Sequence, residues 1–205
     1  MPYDQTLNLA IANFLSGDAK NMAHAAGAVY HSDKGMIESA YLGRPYTIDC
    51  ANGGATPLGH DTPLPQVAHI LLLHNLVRAS GRSLMGRLIS FRELPKGGEG
   101  YYPAFKRRSI DVLTKFFGNN PQMLFNALGS IKGEKQTLGD TSVRINVLPR
   151  FPVTYVIWGG DDEFTASGNI LFDASASDYL SVEDIAIAAS NATYELIRAA
   201  RANTK

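Results

Sequence analysis

Val143-Arg144-Ile145-Asn146-Val147-Leu148-Pro149-Arg150-Phe151-Pro152-Val153-Thr154-Tyr155-Val156-Ile157-Trp158 is the stretch whose reading decides the fold. Residues 143–147 and 153–158 are rich in β-branched and aromatic side chains, which suit a pleated, half-buried surface. Residues 148–152, with two prolines, interrupt them, so the pair predicts a wide hairpin. Residues 169–173 add a further short strand. Upstream, residues 87–94 alternate apolar and polar over much of their length, predicting a strand with one face inward, and the glycine-rich residues 95–100 predict a flexible loop after it.

Helical patterns flank these strands. Leu7, Ile11, Phe14 and Leu15 predict an amphipathic helix over 3–16, which Gly17-Asp18 stops, and a second short helix follows over about 19–29. Residues 36–42 and 45–51 flank Gly43-Arg44 and read as a hairpin. Residues 52–65, with Gly53-Gly54, Gly59 and three prolines, read as a long loop of the kind that often carries function. Pro65 suits a first helical turn, and Val67, Ile70, Leu71, Leu73, Leu76 and Val77 then continue nearly all round, predicting a central buried helix. Residues 102–117 form another helix, with Phe105, Ile110, Leu113 and Phe117 behind a polar face of Lys106, Arg107, Arg108 and Asp111, and 121–128 a short one. Ser181 caps the last helix, with Asp184 answering three residues later, and that helix runs to about Ala202. The expected class is α+β, with helices packed on a mainly antiparallel sheet and strands concentrated in the C-terminal half. One domain over 1–205 is the default, and a subdivision into 1–64 and 65–205 stays open.

Composition sets the outer bounds. With 45% hydrophobic and 19% charged residues, the 205-residue chain has the balance of a protein that buries a core. Nineteen Lys+Arg against nineteen Asp+Glu cancel, so no whole-chain field draws nucleic acid or anionic membrane. The opening Met1-Pro2-Tyr3-Asp4-Gln5 lacks the basic and apolar regions of a leader, and no apolar run approaches the roughly 20 residues that span a bilayer, so a cytoplasmic protein is expected. Cys50 is the one cysteine, which excludes an intramolecular disulfide and a thiolate-rich metal or iron–sulfur site built by this chain alone.

No phosphate-binding loop, nucleophile elbow or zinc-protease histidine pair is present. His69 and His74 are five residues apart, so they diverge around their helix, and each is expected to bond neighbouring backbone or acids rather than a ligand. Cys50 and His60, with Asp49 and Asp61, would offer a transition-metal site only if the 53–65 loop folds back over the hairpin. Asp161-Asp162-Glu163 reads as a solvated turn without the ligand spacing of a calcium loop. Arg92, Tyr101, Tyr102, Arg107 and Arg108 combine guanidinium forks with aromatic rings around the glycine-rich loop, a set that can hold an anion, although a solvated helix face is the simpler reading of the basic cluster. Asp173 and Asp178 lie between a strand and a capped helix, where they organise the turn or, in an enzyme, act as general acid or base.

Four stretches carry a resemblance: residues 89–95, 100–105, 149–155 and 170–176, with Ala68-His69-Ile70-Leu71-Leu72-Leu73-His74 as a matching helix. In these the chain resembles the uncharacterised prokaryotic family filed as domain of unknown function 3786, over most of its length from about Asp49 onward. The resemblance implies no activity. Some relatives are similar in carrying an added cysteine-rich iron–sulfur segment and occur in anaerobes with corrinoid and one-carbon metabolism. With Cys50 alone this chain departs from that pattern, so a redox role would need an iron–sulfur or corrinoid protein partner, or another cofactor.

Three functions follow as expectations. The first is binding of an anionic small molecule, a corrinoid or other tetrapyrrole among the candidates, by a binding or accessory protein of anaerobic metabolism. The second is a carboxylate-dependent hydrolase or transferase. The third is an interaction or scaffold subunit, a homodimer included, that uses the hairpin around Arg150 or an apolar helix face.

Overall fold

A computed structural model describes residues 3–204; Met1 and Pro2, part of the segment read for a leader, lie outside them. Seven α-helices are described: α1 (Asp4–Leu15), α2 (Ala19–Ala26), α3 (Gln66–Arg78), α4 (Gly98–Phe105), α5 (Asp111–Phe117), α6 (Met123–Asn126) and α7 (Val182–Ala202). The nine strands are β1 (Val29–His31), β2 (Met36–Tyr41), β3 (Arg44–Asp49), β4 (Ala55–Pro57), β5 (Leu88–Ser90), β6 (Gly133–Gln136), β7 (Thr141–Leu148), β8 (Phe151–Trp158) and β9 (Ser167–Asp173). The class is α+β. Instead of one sheet there are two, both antiparallel: a meander β1-β2-β3-β4, and a larger sheet in the order β5-β9-β8-β7-β6 that holds the C-terminal strands.

The β7–β8 hairpin is the centre of the larger sheet, and it is tighter than its prolines suggest, since Leu148 already pairs with Phe151 around Pro149-Arg150. A bulge between Asn146 and Leu148 leaves the Val147 carbonyl outside the ladder, where it accepts the Leu42 N–H at 3.0 Å. That bond joins the small sheet to the large one. It comes from the β2–β3 turn, which is Leu42-Gly43 rather than Gly43-Arg44, both at positive φ (51° and 78°), the twist a two-residue hairpin needs. Glycine meets that demand freely. Leu42 does not, and its strain of order 1 kcal/mol is offset by burial and by the Val147 bond.

On one face of the large sheet, Val143, Ile145, Val153, Tyr155 and Phe172 are fully buried. Over them lies α7, whose Ala188, Ala189 and Ala192 have no bulk to hold it away, so that the Tyr155 hydroxyl reaches the Ala189 carbonyl at 3.0 Å. Ser181 caps α7 as expected, accepting the Asp184 N–H at 3.1 Å. Beside α7, α3 buries Ala68, Ile70–Leu73 and Leu76 nearly all round, the central helix that the apolar run implied.

Several local expectations are corrected. α2 stops at Gly27, and Val29 begins a strand. The long 52–65 loop contains the short strand β4. Residues 87–94 form a strand only to Ser90, because Ser90 and Glu93 then close a capping box over a 3₁₀ turn, with the Glu93 carboxylate accepting from the Ser90 N–H at 2.7 Å. The 95–100 loop is brief, for α4 already begins at Gly98. A Cβ on Gly98 would sit 2.4 Å from the Phe91 carbonyl oxygen, so this glycine serves close packing rather than flexibility. The helix expected over 102–117 is interrupted by a π turn over Lys106–Ile110, and β6 lies within a stretch whose polarity hid it.

Candidate functional site

The π turn is where the expected anion-binding residues separate. Its wider winding, with the Asp111 N–H donating to the Lys106 carbonyl five residues back, shifts which residues face α7, and single π turns of this kind recur at functional sites. Tyr101 and Arg108 come together in the wall of a cleft of about 130 Å³ against α7, with Ser109, Ser190 and Asn191. Ser109 is completely buried, and its hydroxyl has no hydrogen-bond partner. Arg108 has no ion-pair partner among the described residues, and its carbonyl is held by the Ser190 hydroxyl at 3.1 Å. Tyr101 and an Arg108 without an ion-pair partner thus line one cleft beside the buried Ser109, a pair of donors suited to a carboxylate or phosphate.

The other three are elsewhere. Arg92 lies over the Tyr102 ring at 4.0 Å and pairs with Glu99 at 3.1 Å, so its charge is already matched. Arg107 is exposed and does not line the cleft. At its α3 end the cleft shares Val67 and Asn191 with a second one of about 250 Å³, lined by Tyr41, Arg44, Tyr46, Tyr194, Glu195 and Arg198 among others. Both lie against α7. No sequence signal named Tyr41, Tyr46 or Asn191, because they stand on separate elements that only the packing of α7 against the small sheet brings together.

Asp173 is spent on structure. Its carboxylate accepts from the Met85 and Gly86 N–H groups at 2.9 and 2.8 Å and from the Ser175 N–H and hydroxyl at 3.0 and 2.6 Å. Burial pushes its pKa up, and these donors more than reverse that, holding it below the ordinary carboxylate value. Asp178 pairs with Arg82 at 3.2 Å, and the Tyr179 hydroxyl donates to the Arg82 carbonyl. Both aspartates fasten the 79–87 segment to the end of β9. Arg150 does the same from the hairpin, reaching the Ala25 and Gly81 carbonyls, each at 3.3 Å.

Near β3, the His60 ring meets the Pro45 carbonyl at 2.9 Å and the Tyr46 ring edge-on at 5.1 Å. Burial, helped by Asp49, raises the Cys50 pKa, away from the thiolate a metal requires. Asp49 itself closes a turn through the Ala51 N–H at 2.7 Å and the Asn52 amide at 2.8 Å. No group of three His, Cys, Asp or Glu suited to a metal occurs among the described residues, and no helix among them is long and apolar enough to cross a membrane.

The two helix α3 histidines point to different partners, as their spacing requires. His69 meets the Gly53 carbonyl at 2.7 Å, and burial lowers its pKa. His74 Nδ1 lies 2.9 Å from Asp184, whose other oxygen accepts the Ser181 hydroxyl at 2.7 Å. That bond raises the His74 pKa, and Asp184, pushed up by burial, is brought below its ordinary value by His74 and Ser181. The stability from His74 is therefore full below its unfolded value of 6.5 and is lost as pH rises through the higher folded value. The Asp184 contribution is lost as pH falls below the ordinary carboxylate range. His69 acts oppositely, costing stability as pH falls below 6.5. His74→Gln is expected to lose about 1–2 kcal/mol at pH 6 and less at pH 9, and urea unfolding at the two pH values checks it.

The family model described as domain of unknown function (DUF3786) matches residues 18–194. The chain belongs to this family. The DUF3786 match begins well before Asp49, so it takes in α2 and the small sheet as well as the core helices and strands that carried the resemblance. It ends at Tyr194, within α7, and so includes Tyr41, Tyr46, Tyr101, Arg108, Ser109 and Asn191. No curated protein and no solved structure matches the chain.

Proposed function

We propose that this DUF3786 protein binds a small anionic molecule in the cleft between the π turn and α7, as a binding or accessory protein. The single observation behind this reading is Arg108, which lines the cleft with Tyr101 and has no ion-pair partner among the described residues. A carboxylate or phosphate bound there would give its guanidinium the bidentate partner it lacks. At about 130 Å³ the cleft takes a carboxylate or phosphate group and not a macrocycle, so a corrinoid or other tetrapyrrole fits this reading only through an anionic arm. An accessory role in anaerobic metabolism, with an iron–sulfur or corrinoid protein as partner, rests on the family resemblance alone.

A binding protein is stabilised by its ligand, by about 2.7 kcal/mol at a hundredfold excess over Kd. Thermal melting with increasing inorganic phosphate, at constant ionic strength, is expected to raise Tm in the native protein and not in Arg108→Gln. Equal shifts in both, or none in either, would overturn the reading.

A second reading, hydrolase or transferase chemistry, has its support at His74 rather than at the saturated Asp173. An imidazole held at Nδ1 by a buried carboxylate, with Nε2 unpartnered among the described residues, is the arrangement of a general base. Hydrolysis of a model phosphate or carboxylate ester that disappears in His74→Gln would favour it.

A further inference from the structure

At one end of the large sheet the β6–β7 loop meets the β8–β9 turn, the Asp140 carboxylate accepting the Gly159 N–H at 2.7 Å and the Trp158 ring lying against Gly139. Leu138, Trp158 and Phe164 are 38–69% exposed on these two connections. Asp140, Asp161, Asp162 and Glu163 share them, and none of the four has an ion-pair partner among the described residues. At the other end, the 79–87 segment and the first residue of β5 leave Leu84, Met85 and Leu88 37–50% exposed. Here the charge is basic: Arg82 is matched by Asp178, whereas Arg78 and Arg87 have no ion-pair partner among the described residues. The segment is firmly held, at Met85 and Gly86 by Asp173 and at the Arg82 carbonyl by Tyr179, so its apolar side chains face solvent from a fixed backbone.

The length of β9 separates the two ends. Its Ser167 pairs with Trp158 and its Asp173 with Leu88, a span of about 20 Å along the strand, so they do not meet within one chain. We infer that they meet between chains, the acidic end of one copy seating on the Arg78–Arg87 surface of another. Single apolar side chains in water are ordinary, but each end gathers three of them beside charge of one sign, as interaction surfaces do. The signs are opposite, so each end complements the other and repels its own kind. Arg78 and Arg87 would face Asp162 and Glu163, whose carboxylates make no hydrogen bond among the described residues, whereas Asp140 and Asp161 hold their own turns. Leu84, Leu88 and the adaptable Met85 thioether would cover the Trp158 and Phe164 rings. A formal net charge of zero sets no long-range repulsion between copies. Because the two surfaces differ, the contact is heterologous and joins copies head to tail.

Sedimentation velocity over micromolar to millimolar concentrations tests this on the native chain and on two charge-reversed variants, Asp162→Lys/Glu163→Lys and Arg78→Glu/Arg87→Glu, with melting curves to verify that each is folded. The native chain is expected to associate as concentration rises. Each reversal weakens that association by about tenfold or more. An equal mixture of the two variants associates again, because each supplies the end that the other lacks. Phe164→Ala reads the apolar part of the contact: it is expected to weaken association by about tenfold with Tm unchanged, and it decides the question should a charge reversal prevent folding. The inference is overturned if the native chain sediments as a monomer throughout, if any of the three variants associates as strongly as the native chain, or if the mixture stays monomeric.

Discussion

Asp173→Ala is expected to lower stability by about 3–5 kcal/mol, because it removes the acceptor of four hydrogen bonds at once rather than one contact. The carboxylate takes four hydrogen bonds, two from the 79–87 segment and two from Ser175, and Asp173 is 5% exposed. Removing it leaves the buried Ser175 N–H without an acceptor and releases the exposed Met85 and Gly86 N–H groups, and with them the 79–87 segment, to water. Asp173→Asn is expected to recover only part of the loss, since its amide brings two donors to a site that already has four. For a chain of this length the alanine change corresponds to a fall in Tm of roughly 6–20 °C. Because the folded pKa is depressed, the contribution is present above the ordinary carboxylate value and fades as pH falls through the folded one. Unfolding of both variants at pH 7 and pH 3 checks this: the deficit should shrink at the lower pH. A stable, fully folded Asp173→Asn would instead free the carboxylate for chemistry.

Phe172→Ala is expected to cost about 3–5 kcal/mol by the cavity it opens. Phe172 is fully buried, and its ring is met by Phe91 and Phe105, each at 6.1 Å, and by Phe151 at 6.2 Å. Those partners come from the 3₁₀ turn after β5, from α4 and from β8, so the cavity loosens three elements at once. Urea midpoints read the effect directly. Phe164, 69% exposed, is the control, and its alanine variant should stay within about 0.5 kcal/mol of the native protein.

What the sequence made legible was whatever rests on short-range pattern. The β7 and β8 runs, the capped α7 and the all-round apolar α3 each carry their own signal, so the α+β class follows from them. β6 carries none, because Gly133, Glu134, Lys135 and Gln136 are held as an edge strand by backbone bonds to β7, which any side chain permits. The end of β5 had a readable signal that alternation concealed: Ser90 followed three residues on by Glu93 is a capping box. The candidate site was half legible. Tyr101 and Arg108 belong to the aromatic and basic cluster visible in sequence, but which members of that cluster face α7 depends on the π turn. The Asp184–His74 bond, 110 residues apart, and the Tyr41–Tyr46 cleft exist only once helices and sheets have packed.

Native mass spectrometry of the protein purified from its own host cells tests the central claim most directly. The anion-binding account predicts the folded chain carrying a small anionic molecule, identifiable by its mass, and predicts that Arg108→Gln purified in the same way lacks it. A bare chain in both preparations, or the same molecule retained by Arg108→Gln, would contradict the account.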